Sequence, residues 1–137
     1  MKKYLLAVIV VVIILLLALL GYLTMKTESM VVADDVEEVH IIEYSCGGKN
    51  EYFFEGKQLQ YIINWIEELK YVSVEFNEGE SPADKNGECA YDIELYTSDS
   101  DECINEFTYF EDENTAYIRM EDEWYKAIKF SQIPINH

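Results

Sequence analysis

Among 137 residues there is one arginine, Arg119, with two histidines and two prolines, and ten basic side chains face 27 acidic ones for a formal charge of −17. Nucleic-acid binding depends on Lys and Arg neutralising phosphates, so that balance argues against it. Scarce histidine argues in the same way against acid–base catalysis. His40 beside Ser45 or Cys46 is the one conceivable base and nucleophile, His137 is terminal, and no G-x-S-x-G pattern accompanies them. The three cysteines show no C-x-x-C spacing and no histidine pair exists, which removes the usual zinc signatures. No phosphate-cradling glycine pattern is present, Gly47-Gly48 reading as a turn. A calcium loop fails too, because Asp99-x-Asp101 is followed by Cys103 and Ile104 where an oxygen ligand and a glycine belong. The carboxylate runs fall where strands reverse and read as solvated turns. No catalysis, cofactor or metal is expected.

What is present begins with Tyr4 to Leu23, YLLAVIVVVIILLLALLGYL, a run without charge, amide or proline. As a helix at about 1.5 Å per residue it spans roughly 30 Å, a bilayer's hydrocarbon thickness, with its backbone groups paired internally. Lys2 and Lys3 precede it, whereas Lys26 is soon offset by Glu28, so the N-terminus is expected in the cytoplasm and everything after Met25 outside. A secretory signal has the same charge-then-apolar order, but its apolar core runs about 7 to 15 residues and ends near an A-x-A-like site. Here the run is longer, and the small-residue steps Thr27-Glu28-Ser29 and Val31-Val32-Ala33 match poorly. An uncleaved anchor leads, a cleaved signal is the alternative, and both export the C-terminal part. The expected organisation is 1–25 as anchor or signal, 26–38 as an acidic stalk, and 39–137 as one extracytoplasmic α+β domain.

All 27 acidic residues follow Lys26, with seven of the ten basic ones, giving that part a formal charge of −20. A basic protein or peptide is the electrostatically favoured partner, and plain solubility is the alternative reading. Cys46, Cys89 and Cys103 fall on the exported side, where oxidation is possible. Three pairings are open, Cys89–Cys103 being preferred because both open neighbouring strands, and three reduced core thiols are as good a reading.

Along the chain, Val39–Ser45 reads as a strand, Cys46–Asn50 as a glycine-rich hairpin turn and Glu51–Phe54 as the return. Lys57–Lys70 sets Leu59, Ile62, Ile63, Ile66 and Leu69 at steps of three and four, one helical face. Tyr71–Phe76 switches to period two, and Asn77–Glu88 is the clearest loop. Strands follow at Ala90–Tyr96, Glu102–Phe110, Thr115–Met120 and Trp124–Phe130, parted by polar turns including Glu121-Asp122-Glu123. Ser131–His137 is expected as a loose or clipped-on tail. The architecture is an antiparallel sheet of five to seven strands with one helix across a face.

If Ile93, Leu95, Ala116, Ile118, Ile128 and Phe130 face the helix, strand parity sends Tyr96, Tyr117, Arg119 and Tyr125 to the opposite face. Tyrosine and arginine there suit an interaction surface. Cross-strand aromatic pairing and a structural ion pair are the competing explanation. At Ser81-Pro82-Ala83-Asp84-Lys85-Asn86-Gly87, and at Trp124-Tyr125-Lys126 with the Ile133-Pro134 tail, the chain resembles small uncharacterised membrane-anchored or secreted extracytoplasmic domains of Gram-positive, especially clostridial, bacteria. The resemblance implies an address in the cell envelope and carries over no activity and no functional residue. The sequence therefore leads to a single-pass protein with an acidic extracytoplasmic binding or accessory domain. The alternative is an immunity-type protein that neutralises a basic toxin or peptide at the membrane.

Overall fold

The computed structural model describes residues 1–23, 26–45, 47–84 and 89–135, and of Leu23 and Cys89 the backbone alone. Helix α1, Lys2–Leu23, is built from the apolar run, and its described side chains are all exposed. By length and composition it can cross a bilayer or act as a signal sequence.

Seven strands follow: β1 Val36–Ser45, β2 Gly48–Glu55, β3 Lys70–Val74, β4 Cys89–Thr97, β5 Cys103–Glu111, β6 Ala116–Met120 and β7 Glu123–Lys129. They form one antiparallel sheet in the order β2-β1-β4-β5-β6-β7-β3. Period-two alternation explains its two faces. Val39, Ile41, Ile93, Leu95, Tyr109 and Ile118 are buried on one face.

Helix α2, Leu59–Glu68, lies across that face because it must join β2 and β3, the opposite edges of the sheet. Gln58 at its start makes no side-chain cap, and ten residues are too few for a helix to persist alone in water. Packing holds it. Ile62, Trp65 and Ile66 are buried, each worth about 1.5 to 3 kcal/mol relative to exposure. The return from β3 to β4 passes over the other face, where Phe76 meets Tyr117 and Trp124 edge-on at 5.4 and 5.5 Å.

Two expectations change, the stalk and the cysteine pair, and the alternatives for the tail resolve. The acidic segment 26–38 is not a free stalk: Glu28 exchanges both backbone hydrogen bonds with Tyr71 at 2.8 and 3.0 Å, and the Val32 amide donates to Glu67 Oε1 at 3.2 Å. Val32 is buried, Met30 packs on the core, and β1 already starts at Val36. Short apolar steps among charges looked like a linker because the edge that accepts them lies more than forty positions along the sequence.

The tail is clipped on. Trp65 Nε1 donates to the Ser131 carbonyl at 3.0 Å, the Ile133 amide donates to Glu111 at 3.1 Å, and Ile133 and Ile135 are buried.

A Cys89–Cys103 bridge is excluded, because both residues open strands that run antiparallel. Cys89 pairs with Glu111 and Cys103 with Tyr96. Opposite ends of β5 are roughly 25 Å apart, far beyond the ~7 Å Cα limit of a disulfide. Cys103 is a free thiol donating to the Asn105 carbonyl at 2.9 Å, while Cys46 and the Cys89 side chain lie outside the described residues.

Candidate interaction surface

Register fixes what shares the face turned away from α2. Phe53, His40, Glu94 and Glu106 form one cross-strand row, and Ile42, Asp92, Thr108, Arg119 and Trp124 form the next. The first row and its flank are polar and acidic. His40 Nδ1 lies 3.1 Å from Glu94 Oε2, to which the Tyr96 hydroxyl also donates at 2.8 Å. The His40 ring stacks on Phe53 at 4.3 Å with planes 7° apart. Across the edge, Lys49 pairs with Glu51 at 2.6 Å, which lowers the Glu51 pKa and raises that of Lys49. The hydrogen bond to Glu94, aided by burial, pushes the Tyr96 phenol up to about 12, since ionising it would set an anion against a carboxylate. In the second row Thr108 Oγ1 donates to Asp92 at 2.8 Å.

Of the four residues expected on this surface, Tyr96, Tyr117 and Arg119 are on the outer face. They do not form one patch. Tyr96 pairs with Glu38 and Cys103, two strands away from Arg119, with Asp92, Glu94 and Glu106 lying between. Tyr117 lies beneath Phe76. Arg119 donates to Asp122 Oδ1 at 2.7 Å, and its guanidinium carbon sits 5.8 Å from the Trp124 ring centre.

Tyr125 is on the helix-facing side, opposite Ile118 and edge-on to Tyr71 at 5.2 Å, with its hydroxyl donating to Glu123 at 2.9 Å. Correspondingly, Ile128 points outward and is 54% exposed while Ala127 takes the buried place. The cause is the turn. Met120 pairs with Glu123, so only Glu121 and Asp122 form the loop, and the parity of β7 slips by one from a three-residue turn. β7 is apolar on both faces, so its alternation could not decide.

His40 and Ser45 occupy opposite faces of β1, five residues or roughly 17 Å apart along the strand, and make no catalytic pair. Cys46 and His137 lie outside the described residues. Among the described residues no group of three or more His, Cys, Asp or Glu side chains is arranged to hold a metal ion.

Strand β2, expected only as the hairpin's return over Glu51–Phe54, carries a second candidate surface. It is an edge strand, and a groove of about 620 Å³ runs beside it, lined by Tyr52, Phe53, Phe54, Tyr61, Pro134 and Ile135. Phe53 is 54% and Tyr61 76% exposed. On the buried side Glu43, 5% exposed, accepts from Asn50 Nδ2 at 3.1 Å and the Tyr52 hydroxyl at 2.9 Å, which ties the β1–β2 hairpin together. The only signal was the aromatic triplet Tyr52-Phe53-Phe54, whose rings cannot all be buried because successive side chains of a strand turn to opposite faces. No family model, curated protein or solved structure matches the chain.

Proposed function

We propose that the chain is a single-pass membrane protein with a cytoplasmic N-terminus, whose acidic domain binds a partner outside the membrane and performs no catalysis. The observation that carries this is the junction. α1 stands apart with its side chains exposed, whereas Glu28 to Val32 are woven into the domain edge. Five Cα steps from Leu23 to Glu28 reach about 18 Å at most, so the domain is held close behind the span. The same junction supports retention of the anchor. Cleavage after Ser29 or Ala33 would remove Glu28 from Tyr71 or strip Met30 and Val32 from the core. The Gram-positive envelope as the location rests on the resemblance of 81–87 and 124–126, of which 85–87 lie outside the described residues.

An immunity-type role against a basic toxin or peptide is the second reading. It is favoured by the carboxylates Asp92, Glu94, Glu106 and Glu38 on the outer face and by the −20 charge after Lys26. The address is tested by a C-terminal alkaline phosphatase fusion with membrane fractionation. Activity in the membrane fraction of the uncleaved fusion is expected, and an inactive, cytosolic or soluble fusion overturns the proposal.

A further inference from the structure

We infer that β2 is the docking edge of the domain, and that it takes up an extended cationic segment of a partner protein, with basic and apolar residues alternating, as an eighth strand. This rests on the cationic-partner reading above and names the surface and the form of that partner.

The two edges of the sheet are unlike. On β3, Tyr71 already exchanges both main-chain hydrogen bonds with Glu28, and the strand has five residues. β2 has eight, and among the described residues no strand lies beyond it. Ser45↔Gly48 closes the hairpin, so Gly48, Asn50, Tyr52 and Phe54 turn their amides and carbonyls to β1. Lys49, Glu51, Phe53 and Glu55 turn theirs outward. Exposed edges invite pairing, and proteins blunt them with prolines, bulges or charged side chains, lysine above all. β2 has no proline and an unbroken register with β1, and its one lysine, Lys49, is paired with Glu51. An eight-residue edge left open beside half-exposed aromatic rings is suited to strand addition.

An added strand would present alternate side chains to two environments. On the α2 side they enter the groove between β2 and Tyr61, where Tyr52, Phe54, Pro134 and Ile135 offer apolar walls. On the outer side they meet Glu51, Phe53 and Glu55, with Glu38 directly behind Glu55 in register and Glu51 shared with Lys49 at the hairpin end. Apolar residues fit the first set and Lys or Arg the second. A second copy of this chain fits less well, since its domain would bring another −20 charge to the same edge.

The test uses the full-length chain in zwitterionic nanodiscs. The probe is a capped octapeptide alternating Lys and Val, with a Glu–Val octapeptide, a Lys–Val peptide carrying proline at every other position, and octalysine as controls. Binding is read by titration calorimetry at two salt concentrations and by amide hydrogen exchange.

The Lys–Val peptide is expected to bind in a salt-sensitive way and to slow exchange of the Glu51 and Phe53 amides at least tenfold. The Glu–Val and proline peptides are expected to do neither. Phe53→Pro removes an outward-facing N–H, which edge strands tolerate, together with the ring stacked on His40, and should weaken binding at least tenfold relative to Phe53→Ala, which loses the ring alone, with the melting transition retained. Tyr61→Ala, on the groove wall, should weaken it severalfold and serves as the second variant if Phe53→Pro does not fold.

Protection confined to Asp92, Glu94 or Thr108, or equal binding of the proline peptide, overturns the docking edge while leaving a cationic partner in place. No salt-sensitive binding of Lys–Val peptide or octalysine overturns the cationic-partner reading itself. Protection of β2 amides in a concentration-dependent dimer without peptide assigns the edge to self-association and overturns the proposal.

Discussion

The sharpest consequence of the docked junction concerns a chain cut inside it. Removing residues up to Ala33 deletes Val32, the hydrogen bond its amide donates to Glu67 and both Glu28–Tyr71 hydrogen bonds. Burying a valine is worth at least about 1.5 kcal/mol. The low end for each of the three hydrogen bonds is about 0.5 kcal/mol, which suits Glu67 because it is exposed. Without counting Met30, the loss comes to about 3 kcal/mol, a large part of the roughly 5 to 15 kcal/mol that holds a domain together. The assay compares residues 27–137 with 34–137 by urea unfolding and thermal melting. The shorter chain should melt roughly 12 to 24 °C lower, given about 4 to 8 °C per kcal/mol at this size. Equal midpoints and equal slopes for the two chains would refute the reasoning. Segment 26–33 would then be a linker, and cleavage within it would be harmless.

Three further outcomes follow from local features. Glu121 and Asp122 form the two-residue turn with φ of 48° and 68°, in the left-handed region that costs an ordinary residue about 1 kcal/mol or more, so Glu121→Asn with Asp122→Gly should raise the melting temperature despite losing the exposed Arg119 pair. Tyr96 and Tyr125 both hold their phenol protons up to about 12 because each donates to a carboxylate. The unfolded chain loses those protons near pH 10, so the folded state binds more of them, and this stabilisation, whole below pH 10, is lost as pH rises toward 12. Absorbance titration of the tyrosinates should show a late-ionising fraction that shrinks in Tyr96→Phe, and an unchanged curve would count against the bond to Glu94. Trp65→Phe keeps an aromatic ring but removes the donor to Ser131, and should cost about 1 to 2 kcal/mol in denaturant unfolding with faster proteolysis of the tail.

Local pattern alone was enough for much of this molecule. The uncharged run of α1, the stripe of α2 and the inward set Ile93, Leu95, Ala116 and Ile118 follow from periods of 3.6 and two, which any solvent-facing and core-facing pair of surfaces imposes. The surplus of carboxylates was likewise plain from composition. What the chain alone could not decide was who neighbours whom. Strand order joins residues far apart in sequence, so nothing local says that β2 is a free edge, that Glu28 pairs with Tyr71, or that Phe76 folds over Tyr117. Parity failed only in β7, where both faces are apolar and one residue more or less in the preceding turn moves Tyr125 to the other side of the sheet. Cys89 and Cys103 failed as a pair for the same kind of reason: both begin strands, but in an antiparallel sheet neighbouring beginnings lie at opposite ends.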